Sequence, residues 1–159
     1  MLKIGQGYDV HQLKSGLPLI LGGVEIEHAK GIAGHSDADI LIHAIIDAIL
    51  GAFNMGDIGA MFPNDEKWLN ATGLNMLLHM KEKIKSKVNK MNIINIDSTI
   101  ILQAPKLQSY ILQMKQNIAN ALEISPDSIS IKATTTDHLG FIGKEEGIGC
   151  IAICLVNHE

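Results

Sequence analysis

The stretch ADILIHAIIDAILGAF, Ala38 to Phe53, decides how the rest of the chain must be arranged. Its length and its Ala, Leu and Ile content predict one helix, with Ser36 and Asp37 placed to cap its start. Ile40, Leu41, Ile42, Ala44, Ile45, Ile46, Ala48, Ile49 and Leu50 cover that helix nearly all round, so it must lie buried. Asp39, His43 and Asp47 interrupt the cover at i, i+4 and i+8, which puts them in one stripe. A buried helix with one ionisable stripe is a candidate site.

Working outward, Lys3 to Val10 reads as a strand and Leu17 to Glu27 as a hairpin turning on Gly22-Gly23. Gly56 to Asp65 reads as a loop marked by glycine and proline, and Leu74 to Asn89 as an amphipathic, lysine-rich helix. A strand over Ile93 to Gln103 stops at Ala104-Pro105, and a third long helix follows over Leu107 to Leu122. Ser128 to Thr135 and Ile148 to Val156 are the last strands, with Gly140 to Gly149 turning before the second. That final strand is one continuous apolar run, as expected for a strand covered on both faces. These elements predict an α+β fold: a mixed β-sheet packed on helices, with an antiparallel hairpin. No repeat, low-complexity tract or linker divides residues 1–159, so a single domain is expected.

Hydrophobic residues make up 47% of the 159 and charged residues 19%, a surplus of apolar surface for so small a monomer. The surplus points to an oligomer that buries part of it between subunits. Net charge is −4, and all 13 basic residues are Lys, so the basic surplus and guanidinium forks of a nucleic-acid binder are missing. Lys81, Lys83, Lys85, Lys87 and Lys90 read as a solvated helix face. No leader pattern and no membrane-spanning apolar run is seen, so no membrane partner is expected. Cys150 and Cys154 would sit roughly 13 Å apart on a strand, too far to bridge. They read as buried thiols in a reducing compartment, and the expected location is cytoplasmic.

Asp9-Val10-His11 sets a carboxylate and an imidazole at i, i+2, on one face of an extended strand. With His43 as a third ligand they form an Asp/His/His set with an open position, the pattern of a catalytic zinc. Asp39 or Asp47 is spaced to orient His43 from behind. The alternative is a surface Asp-x-His pair and a hydrogen-bonded core histidine. His35-Ser36-Asp37 precedes the buried helix, whose N-terminus suits a phosphate, or else simply a capping side chain. Lys132-Ala133-Thr134-Thr135-Thr136-Asp137 ends a strand in hydroxyls, suited to a diphosphate, with Asp137 as an oxygen ligand for a second metal. The alternative there is a strand that is merely rich in β-branched residues. Gly5-Gln6-Gly7 opens like a dinucleotide fingerprint, but Val10 stands at the third glycine and no nicotinamide site follows.

Several segments, in order along nearly the whole chain, resemble the cyclodiphosphate synthase family. They are GYDVH (Gly7–His11), GHSDAD (Gly34–Asp39), GDIG (Gly56–Gly59), QAPK (Gln103–Lys106), KATTT (Lys132–Thr136) and LGF (Leu139–Phe141). The resemblance implies that Asp9, His11 and His43 bind zinc or another divalent transition metal, and that His35 and Thr135 stabilise the transition state. It implies substrate contacts from Asp9, His11, His35, Ser36, Asp57, Ile58, Gly59, Phe62, Pro63, Asn64, Asp65 and Glu66. It implies further contacts, from a neighbouring subunit, by Leu102, Gln103, Ala104, Pro105, Lys106, Leu107, Gln108, Thr134, Thr135, Thr136 and Asp137, and places Phe141 and Lys144 beside them. Asp137 would hold magnesium or manganese on the diphosphate. The family is a homotrimer with interfacial active sites, and its reaction cyclises a cytidine diphosphate ester and releases CMP.

Asp137 stands where the family commonly has Glu. Asn64-Asp65-Glu66 departs from its usual loop residues. Lys144 replaces a frequent Arg near the trimer axis, which removes a bidentate partner for an anion. Two other readings fit the residues. One is a zinc-dependent phosphoester hydrolase, which would give a linear product carrying solvent oxygen. The other is a trimeric module that binds such esters without turnover.

Overall fold

Helix α1 (Ile40–Ala52) lies against two long strands, β1 (Leu2–Ser15) and β7 (Gly147–His158). Two glycines make that contact possible. A Cβ on Gly5 would fall 1.8 Å from the Ala48 carbonyl oxygen, and one on Gly7 would fall 1.9 Å from that of Ala44. Only glycine lets backbone meet backbone this closely. Because strand side chains alternate, Asp9 and His11 continue the same face as Gly5 and Gly7, the face under α1. The computed structural model that provides this geometry describes residues 1–88 and 90–158. The expected helix end at Asn89 and the domain end at Glu159 lie outside the described residues.

The main sheet runs β4-β1-β7-β5-β6, with β4 at Lys30–Ile32, β5 at Met91–Ile101 and β6 at Ile129–Thr134. All neighbours are antiparallel except β5 and β6, which are parallel, so the sheet is mixed. Asp9 pairs with Cys150 and His11 with Ile148, which fixes both above α1's N-terminal half. Strands β2 (Leu19–Leu21) and β3 (Val24–Ile26) form the expected hairpin. Gly22 and Gly23 turn it at φ of 58° and 70°, the left-handed region that paired glycines reach without strain. Helices α3 (Gly73–Lys85) and α4 (Ile111–Leu122) pack against each other, α3 also on α1 and α4 on β6. This is the expected mixed α+β arrangement.

Several local expectations give way. β1 extends past Val10 to Ser15, and β4 was not foreseen. The expected loop at 56–65 contains a one-turn helix, α2 (Ile58–Met61), and the turn at 140–149 contains another, α5 (Gly140–Gly143). Helix α4 starts at Ile111 rather than Leu107. The cap of α1 is Asp39, not Ser36 or Asp37. Asp39 Oδ1 accepts from Ile42 N (3.1 Å) and Gly22 N (2.9 Å), and Oδ2 accepts from Gly23 N (2.7 Å). Ser36 and Asp37 instead serve the turn before it, accepting from Ala38 N and Asp39 N. The Asp39 carboxylate therefore occupies the helix N-terminus that was read as a phosphate site.

The lysine face is only partly solvated. Lys81 is buried, with Nζ 3.1 Å from a Glu123 carboxylate oxygen, because α4 closes over that side of α3. Strand β7 has one covered face rather than two. Cys150, Ala152, Cys154 and Val156 are fully buried under α1, whereas Ile153 on the opposite face is 45% exposed. Both cysteines are free, and burial pushes the Cys154 thiol up to about 11 and the Cys150 thiol higher still.

Candidate metal and nucleotide site

Asp9 and His11 descend from β1 and His43 rises from α1, so the strand alternation and one helical position bring three ligands together. Asp9 Oδ2 lies 3.2 Å from the Nδ1 atoms of both His11 and His43. One ligand atom from each residue falls within 4.8 Å of the others. Burial pushes the Asp9 carboxyl up, but the two imidazoles outweigh it and hold the group below the usual carboxylate range. His11 Nδ1 approaches Asp9 without hydrogen-bond alignment and is buried without a hydrogen-bond partner. A carboxylate oxygen and two imidazole nitrogens, one of them unsatisfied, fit a divalent metal of the zinc type.

The group behind His43 is not the expected one. Its Nε2 lies 3.3 Å from Ser36 Oγ, so Ser36 orients the ring and leaves Nδ1 for the cluster. Asp39 is committed to Gly22, Gly23 and Ile42, and Asp47 accepts from Ile58 N at 2.7 Å. Neither carboxylate is hydrogen-bonded to the His43 ring; Asp39 meets His43 only through its backbone carbonyl, which accepts from His43 N (2.9 Å), and the Asp47 side chain instead holds the start of α2. Burial raises both carboxyls, Asp47 above its usual value and Asp39 to about 6, while the Gly22, Gly23 and Ile42 N–H groups favour the Asp39 carboxylate.

The three ligands open into a cavity of about 270 Å³, whose walls also include His35, Ser36, Ile58, Gly59, Phe62 and Asn64. His35 Nε2 is 2.9 Å from the Asp65 carbonyl, which fixes a ring N–H there. Asp57 caps α2, accepting from Ala60 N, and Pro63, Asp65 and Glu66 stand exposed in the loop above. Trp68 and Met76 complete the walls and were missed in the sequence; an aromatic following the polar loop residues was the available signal.

A second cleft, about 640 Å³, is lined by Leu102, Gln103, Pro105, Lys106, Leu107, Gln108, Thr134 and Thr135. Ile111, Ile131, Lys132 and Ala133 also line it; Ile111 and Ile131 were not foreseen. Lys132 pairs with Asp97 at its edge. Ala104, Thr136, Asp137, Phe141 and Lys144 line neither cavity, and Asp137 stands exposed with its N–H donating to Thr135 Oγ. Within one chain, then, His35 and Thr135 belong to different cavities.

Three kinds of comparison bear on this arrangement. The model of the YgbB family matches residues 2–157. The chain belongs to the YgbB family. A curated relative from Clostridium kluyveri, named 2-C-methyl-D-erythritol 2,4-cyclodiphosphate synthase, is 53% identical over 98% of this chain and 94% of its own. The bifunctional IspDF of Campylobacter jejuni superposes with a TM-score of 0.94 at 38% identity, covering all of this chain and 43% of that longer one. IspF of Plasmodium falciparum, solved as a CDP complex, superposes with a TM-score of 0.86 at 35% identity over 99% of this chain and 97% of its own. The mixed sheet and helices of this chain are those of the YgbB fold.

Proposed function

We infer that this chain converts 4-diphosphocytidyl-2-C-methyl-D-erythritol 2-phosphate to 2-C-methyl-D-erythritol 2,4-cyclodiphosphate, releasing CMP, a step of non-mevalonate isoprenoid precursor synthesis. The observation that carries the reading is the Asp9, His11 and His43 convergence, in a chain more than half identical to a named synthase. As one domain it offers a metal half and a cleft half, and each is a partial site.

The substrate's 2-phosphate is already anionic, so no side chain has to remove a proton from the nucleophile. Its oxygen forms the new bond to the β-phosphorus, the bond from that phosphorus to the CMP oxygen breaks, and CMP leaves with the electron pair. The chain's task is to fold the substrate back on itself and to offset negative charge. Zinc on Asp9, His11 and His43 would supply a Lewis acid to the phosphate oxygens, and Asp137 would hold magnesium or manganese on the diphosphate. His35 gives Nε2–H to the Asp65 carbonyl, so its Nδ1 meets phosphate as a donor only in the cationic ring. Thr135 would act from the other side with its hydroxyl. Leu102 to Gln108 and Thr134 to Asp137 would hold the cytidine and its phosphates, while Asp57, Ile58, Gly59 and the loop Phe62 to Glu66 meet the sugar alcohol. Phe141 and Lys144 would complete the substrate contacts.

These halves join if the active unit is a homotrimer. The sheet face away from α1 supports this: Ile4 is 72% exposed, Tyr8 60% and Ile153 45%, an apolar surface that needs cover. Among the described residues no helix is long and apolar enough to cross a membrane. The two free, buried thiols support a reducing, cytoplasmic location.

Shared sites are tested by mixing two inactive variants, His43→Ala and a double Lys106→Ala, Asp137→Ala chain. In a closed ring of three, every mixed trimer keeps one interface with an intact metal half and an intact cleft half. Random mixing at equal amounts should restore roughly a quarter of all sites. CMP release that stays at background despite confirmed mixed trimers would show that each site is built within one chain.

A further inference from the structure

Behind the metal-side cavity, three rings from two elements and a loop stack edge to face. Trp68 and His79 have centroids 5.0 Å apart at 67°, Phe62 and Trp68 4.7 Å at 85°, and Phe62 and His79 5.7 Å at 63°. Trp68 and Phe62 line the cavity; His79 does not, and stands on α3 behind them. Lys67 Nζ lies 4.7 Å from the Trp68 ring, so the indole meets a cation as well as the imidazole. The loop's backbone carries that placement to His35. The Asp65 carbonyl accepts from Trp68 N (3.2 Å) and from His35 Nε2 (2.9 Å), and Asn70 N donates to the His35 carbonyl (3.0 Å). One carbonyl thus ties the indole's residue to the His35 imidazole on the cavity wall.

We propose that His79 is a positioning residue for the cyclisation: fixed on α3, its ring clamps the Trp68 indole, and through the Asp65 carbonyl it sets the loop that orients His35. This rests on the function proposed above. His79 touches no reacting atom; what it supplies is a rigid edge beside a loop whose Pro63, Asn64, Asp65 and Glu66 are exposed. Edge-to-face ring pairs carry specific geometry beyond the area they bury, so an aromatic ring at this position matters more than bulk.

The test uses the zinc-loaded protein with His79→Ala and His79→Phe. The chain has a single Trp, so its fluorescence reports Trp68 alone. With His79→Ala, kcat/KM should fall about 2- to 12-fold, the share of its pair with Trp68, with zinc content unchanged. Acrylamide should quench Trp68 more strongly, and His79→Phe should restore both readings. A His79→Ala protein that keeps zinc, kcat/KM and quenching unaltered overturns the proposal, as does a His79→Phe protein no better than His79→Ala. Should His79→Ala not fold, His79→Gln takes its place under the same criteria. A wild type that releases no CMP overturns the proposed function instead; the quenching comparison needs no substrate and still decides whether the clamp exists.

Discussion

Replacing Asp39 tests whether α1 is pinned to the hairpin by one carboxylate. In the native fold that group satisfies three N–H donors, those of Gly22, Gly23 and Ile42, and it is fully buried. Asp39→Ala leaves all three unsatisfied, each costing about 1–3 kcal/mol, with some relief as the turn relaxes. A net loss of about 4 kcal/mol is expected, a large part of the ~5–15 kcal/mol that holds a domain together. Asp39→Asn separates the contributions. Its oxygen can replace Oδ1 and keep Gly22 and Ile42, but its amide then faces the Gly23 N–H, donor against donor. That variant should lose about 2 kcal/mol. Urea unfolding at pH 7.5, followed by circular dichroism with the slope held common, gives both values. A cost below about 1 kcal/mol for Asp39→Ala, or equal costs for the two variants, would refute the three-donor account.

His43→Ala should leave the fold intact but drop zinc from about one per chain to well below it, as read by metal analysis of the dialysed protein. Gly7→Ala should cost about 3 kcal/mol or more, because its Cβ would meet the Ala44 carbonyl at 1.9 Å and no side chain can move aside; thermal unfolding measures it. Burial first, then Lys67 and Lys83, hold His79 below its ordinary value of 6.5. The unfolded chain therefore takes up that proton at higher pH than the fold does, so the contribution is present above about 6.5 and is lost as pH falls below it. His79→Phe should remove this share of the acid sensitivity of the unfolding midpoint.

The buried helix was legible because its apolar cover is continuous, and its stripe pointed to the site. Asp9, His11 and His43 were legible too, since i, i+2 alternation and one helical position need no tertiary detail. The roles of Asp39 and Asp47 were not. Helical spacing places them near His43, but which backbone donors they meet depends on the hairpin at Gly22-Gly23 and on α2, whose approach no local pattern encodes. Lys81 was misread for a similar reason: a lysine run looks solvated until another helix, carrying Glu123 at its end, packs over one member. The exposed face of β7 shows the opposite limit. A continuous apolar run predicts cover on both sides, whereas within the chain only the face under α1 is covered and Ile153 on the other stands exposed. The Trp68–His79 contact was invisible because it joins a loop to a helix across a fold that the sequence does not spell out.

Phosphorus NMR of the product formed from the diphosphate substrate in ¹⁸O-enriched water tests the central claim most directly. The account predicts CMP and a cyclic diphosphate with two coupled phosphorus signals, neither shifted by solvent oxygen. A linear phosphate product carrying ¹⁸O would make this chain a hydrolase and contradict it.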